Sequence, residues 1–185
     1  MRSFIVLGLF LLAVGCSTKS PVSEIDLYSI DDQTVRIDTE NNSLTVLFFL
    51  SPECPLCISY SLAMKQLAKE FQNDSVSFYG IHSRNWFSAE EVQQYALNYN
   101  LPFTMLLDNG NLLATTIGAS VTPEVFVLNT QSEIVYSGKI DNWVNELGKK
   151  KLEVSEHYLK NALIAWRDGK SIEPKRTEPK GCLIE

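Results

Sequence analysis

The sequence predicts an α/β sandwich whose central sheet has a parallel part and an antiparallel part. Three observations lead there. Strand and helix patterns alternate as strand, helix, strand, helix, strand, and then give way to a hairpin and a last helix. Residues 44–50, Leu-Thr-Val-Leu-Phe-Phe-Leu, are almost continuously apolar, which suits a central strand covered on both faces. Cys54-Pro55-Leu56-Cys57 stands where that strand meets the next helix. At 185 residues the chain is expected to form one domain with a real core. Its 45% hydrophobic and 21% charged residues are ordinary for a globular protein. A net charge of −6, with no dominant basic patch, excludes nucleic acid as a partner class.

The chain starts with Met1-Arg2, a short apolar run and Gly15-Cys16. This pattern reads as a signal peptide over residues 1–15, too short to span a bilayer as a helix. Leu12-Ala13-Val14-Gly15-Cys16 is similar to the bacterial lipoprotein signal, with Ala13 where Leu is commoner. The alternative is an ordinary signal peptide that leaves Cys16 as a free thiol. Lipidation at Cys16 is preferred, because an exposed unpaired cysteine is a liability in an oxidising compartment. The mature chain is then expected outside the cytoplasm, in the periplasm or cell envelope, held to the membrane by its N-terminal lipid.

Residues 16–24 read as a tether, 25–170 as the folded domain and 171–185 as an extended, charged tail. Residues 25–28 and 34–37 flank the turn Asp31-Asp32-Gln33 as a small hairpin. After the two cysteines, Leu62, Leu67, Ala68 and Phe71 recur at near-helical spacing, up to Asn73-Asp74. Residues 76–81 form the next strand. Ser88 and Glu91 then spell a capping box, with Phe87 and Val92 as a hydrophobic staple. That helix stops before Asn100 and Pro102. Residues 103–107 read as a strand, 112–117 as a short helix ending near Gly118, and 124–128 and 133–140 as a hairpin. A final helix fits residues 156–166, capped by Ser155.

The chemistry centres on the two cysteines. Pro55 suits a first helical position, which puts Cys54 at the N-cap. There it faces unpaired N–H groups and the positive end of the helix dipole, both of which favour a thiolate. Cys57, one turn on, can close a disulfide and release whatever Cys54 has captured. A zinc site is the second reading, but Cys182, His82 and His157 show no ligand spacing, so no metal is assigned. A structural disulfide is the third, and so small a loop removes little unfolded-chain entropy. No cofactor is implied. Cys182 is read foremost as a tail cysteine, unpartnered or paired with another chain; a third redox thiol folding back toward Cys54, or a metal ligand, are the alternatives. His82 reads as a surface residue, Glu70 as a solvated one, and Trp86, Trp143 and Trp166 as core or rim packing.

These residues resemble the thioredoxin superfamily over nearly all of the mature chain. Phe48 to Cys57, the Val121-Thr122-Pro123 step and Glu124-Val125-Phe126-Val127-Leu128 carry the resemblance. Within the superfamily the chain is similar to membrane-tethered TlpA/ResA-type proteins and to the peroxiredoxin-like redoxins of the AhpC/TSA group. The resemblance implies a thioredoxin-like three-layer sandwich with a mixed central sheet, and a thiol–disulfide oxidoreductase that uses Cys54 and Cys57. It implies that Pro123 is a cis-proline facing the cysteines, where the residues alone also allow a trans strand-start proline. It implies that the Thr122 backbone pairs with the substrate chain. Protein thiols and disulfides would be the partners, with a membrane-embedded donor supplying electrons. Two positions depart from the superfamily pattern: Phe48 replaces a buried Asp, and Glu53 replaces the aromatic residue before the first cysteine. Glu53 is expected to raise the Cys54 pKa. Peroxiredoxins carry Ser or Thr three residues before the reactive cysteine and Pro four residues earlier. Ser51 fits and Leu47 does not, which ranks a peroxidase second. A copper carrier of thioredoxin-like fold ranks third, since those carriers place three residues between the cysteines.

Overall fold

The computed structural model describes residues 21–146 and 149–184. The expected signal peptide and Cys16 lie outside the described residues. The elements in order are β1 (Leu27–Ser29), β2 (Thr34–Val35), β3 (Leu44–Phe49), α1 (Pro55–Glu70), β4 (Val76–Ser83), α2 (Ala89–Tyr99) and β5 (Thr104–Asp108). They continue with α3 (Leu112–Ile117), β6 (Val121–Thr122), β7 (Glu124–Leu128), β8 (Ile134–Gly138), β9 (Val144–Glu146), β10 (Lys149–Lys150), α4 (Tyr158–Arg167) and β11 (Cys182–Leu183).

Seven strands form the main sheet in the order β2-β1-β5-β4-β3-β7-β8. β3, β4 and β5 run parallel, whereas β7 is antiparallel to β3 and β8 to β7. Period-2 alternation sends the β3 side chains to two cores. Leu44, Val46 and Phe48 enter a core shared with α1, α2 and α4, while Leu47 and Phe49 enter a second one shared with α3. Helices thus cover both faces of a mixed sheet, giving three layers, as a thioredoxin-like sandwich requires.

Local chemistry sets the element ends. Ser88 and Glu91 make both halves of the capping box at the start of α2, and Val92 is fully buried behind it. Ser132, in the left-handed region at φ 58°, closes the turn in which Asn129 N–H donates to Glu133 O. Three expectations are corrected. Ser155 does not cap the last helix, which begins at Tyr158 with His157 at its N-cap. Its hydroxyl instead accepts from Asn142 Nδ2 at 2.9 Å, because the buried Asn142 draws the 155–156 backbone onto its own side chain. Val22, in a 3-10 turn, is buried in the core beneath α3, so packing begins inside the expected tether.

The tail after α4 is the third correction. Its backbone runs beside β8, with Ser137 N–H donating to Lys175 O and Thr177 N–H to Ser137 O, each at 3.0 Å. The Thr177 hydroxyl sits between Tyr136 OH and Lys139 N–H, at 2.9 and 2.8 Å. Gly138 permits this approach: it holds φ at +123°, and a Cβ there would run into the Thr177 backbone. The chain then reaches β6, against which β11 pairs antiparallel, Cys182 opposite Thr122 and Leu183 opposite Val121.

Candidate redox site

The register of the sheet assembles the site. Phe49 at the end of β3 pairs with Glu124 at the start of β7, so residues just beyond one strand lie beside residues just before the other. The first group is the Ser51–Cys57 segment; the second is Thr122-Pro123, joined by a cis peptide bond. Glu124 fixes that second group. Its buried carboxylate accepts from Ser120 N–H at 2.8 Å and from Val121 N–H at 3.3 Å, pinning the loop after α3. Nothing in the local pattern marks Glu124 for this duty, since a strand-start acid usually points to water.

Cys54 is the N-cap of α1, with Pro55 following it. Its side chain makes no regular capping hydrogen bond, although the nearby Cys57 N–H still favours its charged form, and the sulfur faces the thiols around it. Cys57 lies 3.8 Å away. Cys182 Sγ is 2.7 Å from Cys54 Sγ, and the Thr122 carbonyl oxygen is 3.2 Å away. All three cysteines are free thiols; Cys54 and Cys57 are buried and Cys182 is half-buried. The structure therefore brings Cys54, Cys57, Thr122, Pro123 and Cys182 to one place.

The three thiols are not electrostatically alike. Donation from the Cys57 thiol, followed by donation from Cys182 and the Cys57 backbone N–H, lowers the Cys54 pKa to about 4 against the opposing effect of burial. The Thr122 carbonyl can only accept, so it favours the thiol form of Cys54, while the Thr122 side chain works the other way and adds to the groups that favour the thiolate. Glu53 is not among the leading causes, and the shift runs opposite to the rise expected from it. Burial first, and then the Cys54 charge, push Cys57 well above its ordinary value. The same causes in the same order raise Cys182 to about 11. One thiolate thus sits beside two protonated partners.

The surroundings hold further corrections. His82 is not at the surface: it is fully buried in β4, with its ring edge-on to Tyr95 at 5.8 Å. Among the described residues neither ring nitrogen has a hydrogen-bond partner, and burial lowers its pKa to about 3. Tyr95 in turn donates from its hydroxyl to the Cys57 carbonyl at 3.2 Å. Phe48, on the same side of the sheet, is buried against Phe78 and Phe103. Glu70 is paired with Lys160 at 2.8 Å on an exposed surface. Trp86 is 60% exposed and stands at the rim of a cleft of about 410 Å³. That cleft flanks the cysteines and is lined by Leu50, Ser51, Glu53, Phe87, Thr122 and the tail residues Leu183 and Ile184, among others. No group of three or more His, Cys, Asp or Glu side chains among the described residues is placed to hold a metal ion. No described helix is long and apolar enough to cross a membrane.

Comparisons with known proteins give the chain a family and its fold several likenesses. The family described as the AhpC/TSA family matches residues 18–137. No curated protein sequence matches. Among solved structures, an uncharacterized conserved protein from Geobacillus kaustophilus superposes with a TM-score of 0.78 at 23% identity, covering 97% of both chains. A hypothetical protein from Sinorhizobium meliloti gives 0.75 at 22%, covering 86% of this chain and 89% of that one. A secreted Mycobacterium tuberculosis disulfide oxidoreductase homologous to Escherichia coli DsbE gives 0.51 at 22%, over 60% and 79%.

Proposed function

This chain belongs to the AhpC/TSA family, and within it we propose that the protein is a thiol–disulfide oxidoreductase working through Cys54 and Cys57. The observation that carries the reading is the buried Cys54 sulfur at the N-cap of α1, with its pKa lowered to about 4 and a protonated Cys57 3.8 Å away. A thiolate at neutral pH beside a thiol held in reserve is what two-step disulfide exchange needs.

In the reducing direction, the Cys54 thiolate attacks one sulfur of a partner protein's disulfide. That S–S bond breaks, and the departing sulfur leaves as a thiolate and takes up a proton. Cys57 then gives up its proton and attacks the Cys54 sulfur; the second substrate thiol leaves, and a Cys54–Cys57 disulfide remains. Two electrons have passed to the substrate, and a dithiol donor must return them. Run backwards, the same steps oxidise a dithiol. The Thr122 backbone beside Pro123 is the docking edge for the substrate chain. The signal-like residues 1–15 and Cys16 support a lipid-tethered, extracytoplasmic protein whose electrons come from a membrane-embedded donor. A fold shared with a secreted disulfide oxidoreductase is consistent with that address.

A thiol peroxidase is the second reading, favoured by the family and by Ser51 and weakened by Leu47. The copper-carrier reading stays third, because two residues and not three separate Cys54 from Cys57. The deciding experiment measures the Cys54–Cys57 reduction potential together with turnover of a protein disulfide. A potential near about −270 mV makes the protein a reductant and one near about −120 mV an oxidant. Full exchange activity in Cys54→Ser would overturn the reading. Cys54-dependent peroxide consumption without disulfide exchange would replace it with the peroxidase.

A further inference from the structure

The docking edge proposed for a substrate chain is already occupied. β11 lies antiparallel on β6 with Cys182 opposite Thr122, and Ile184 N–H donates to Ser120 O at 3.0 Å. This is the backbone pairing by which an extended peptide adds to a strand edge. The sulfur it delivers stops 2.7 Å from Cys54 Sγ, where the cysteine of a bound substrate would have to stand. Gly181 makes the approach possible, since a Cβ at that position would collide with the Thr122 backbone. Thr177 anchors the same tail at Gly138, so the segment is held at two points and presented in one register.

We propose that the C-terminal strand is a built-in pseudo-substrate, which places Cys182 as a second disulfide partner for Cys54 and must be displaced before a protein substrate can dock. The proposal rests on the reading of Cys54 as the redox thiol. In the oxidised protein Cys182 gives its proton to solvent and attacks the Cys54 sulfur. The Cys54–Cys57 bond breaks, the Cys54–Cys182 bond forms, and Cys57 leaves as a thiolate and is protonated. One disulfide and one thiol are present before and after, so no outside oxidant or reductant is consumed. The tail thereby exchanges a buried disulfide for a half-exposed one, and it gates access to the cleft that Leu183 and Ile184 help to line.

The test maps disulfides by mass spectrometry after oxidation with oxidised glutathione and thiol blocking, in wild type, Cys57→Ser, Cys182→Ser and Gly181→Val. Wild type should yield both Cys54–Cys57 and Cys54–Cys182 linkages, and Cys57→Ser the second alone. Gly181→Val keeps every thiol but lifts the strand. It should lower the Cys54–Cys182 share, and raise the rate with a protein disulfide, by about tenfold each, the scale of a lost backbone pairing. Cys182→Ser keeps the strand, so it should lose the linkage yet stay slower than Gly181→Val on that protein disulfide. If Cys57→Ser forms only a Cys54–glutathione adduct, or Gly181→Val behaves as wild type, the pseudo-substrate is overturned while the oxidoreductase stands. If wild type forms no Cys54–Cys57 linkage and exchanges nothing, the oxidoreductase reading itself falls.

Discussion

Cys57 and Cys182 are both neighbours of the Cys54 sulfur, but they belong to unlike parts of the molecule. Cys57 rides on α1, a 16-residue helix whose Met64, Leu67 and Ala68 are buried. Ser51 N–H reaches its sulfur at 3.4 Å, and the Tyr95 hydroxyl holds its carbonyl. Cys182 rides on a two-residue strand with Leu183 74% exposed beside it. Removing Cys57 from its place would require unpacking a core, whereas removing Cys182 requires only the loss of a few backbone bonds. In the proposed function a firm partner and a detachable one serve different ends: the first would complete exchange on every cycle, and the second would respond to what competes for the edge.

The largest expected contrast between them is chemical. At pH 7 a group with a pKa near 4 is almost wholly thiolate, while one near 11 is ionised to about one part in ten thousand. In the reduced protein, the pH profile of iodoacetamide modification at Cys54 should therefore stay flat from pH 6 to 8 and fall toward a midpoint near 4. Modification of Cys182 should rise only on the alkaline side, toward about 11. Peptide mapping separates the two, and coincident profiles would erase the distinction.

Acid should act on the firm side first. His82 has its folded pKa lowered from 6.5 to about 3 by burial. Above pH 6.5 the ring is neutral in both the folded and unfolded chain and adds no pH dependence; stability is lost as pH falls from there toward 3, because the unfolded chain takes up the proton more readily. Its neighbour Tyr95 contacts the Cys57 carbonyl, so that loss loosens the α1 side. His82→Leu should flatten the fall in melting temperature between pH 7 and pH 4. An unchanged fall would assign the acid sensitivity elsewhere.

The smallest effect belongs to the detachable side. Thr177→Ala removes the hydroxyl that receives Lys139 N–H, at a cost of about 1 kcal/mol. Proteolysis and hydrogen exchange should show the tail after Thr177 opening more often, with little change in the global denaturation midpoint. Equal weakening of both would mean that the tail is part of the core.

What the residues disclosed in advance follows the same division. The N-cap position of Cys54 was legible because proline after a cysteine at a strand–helix junction is a local signal. The capping box of Ser88 and Glu91 and the doubly buried β3 were legible for the same reason. The docking of Cys182 was legible only as an alternative, a tail thiol folding back toward Cys54, because it joins positions 128 apart and rests on Gly138 and Gly181 being bare where another backbone approaches. His82 was misread because β4 runs on to Ser83, two residues beyond its apolar run, and carries the ring into the core. The Ser155 assignment failed because the competing acceptor, Asn142, comes from a distant loop that no window around the helix contains.

The tail's path has one more consequence. β8 is an outer strand of the seven-stranded sheet, and β6 stands apart from that sheet. Residues 175–177 lie along the open side of β8, and β11 along β6. Unpaired strand edges invite other chains to add to them, the first step of edge-to-edge aggregation. By passing over both in turn, one short segment shields two strand edges against self-association, while β2 still ends the sheet on its far side.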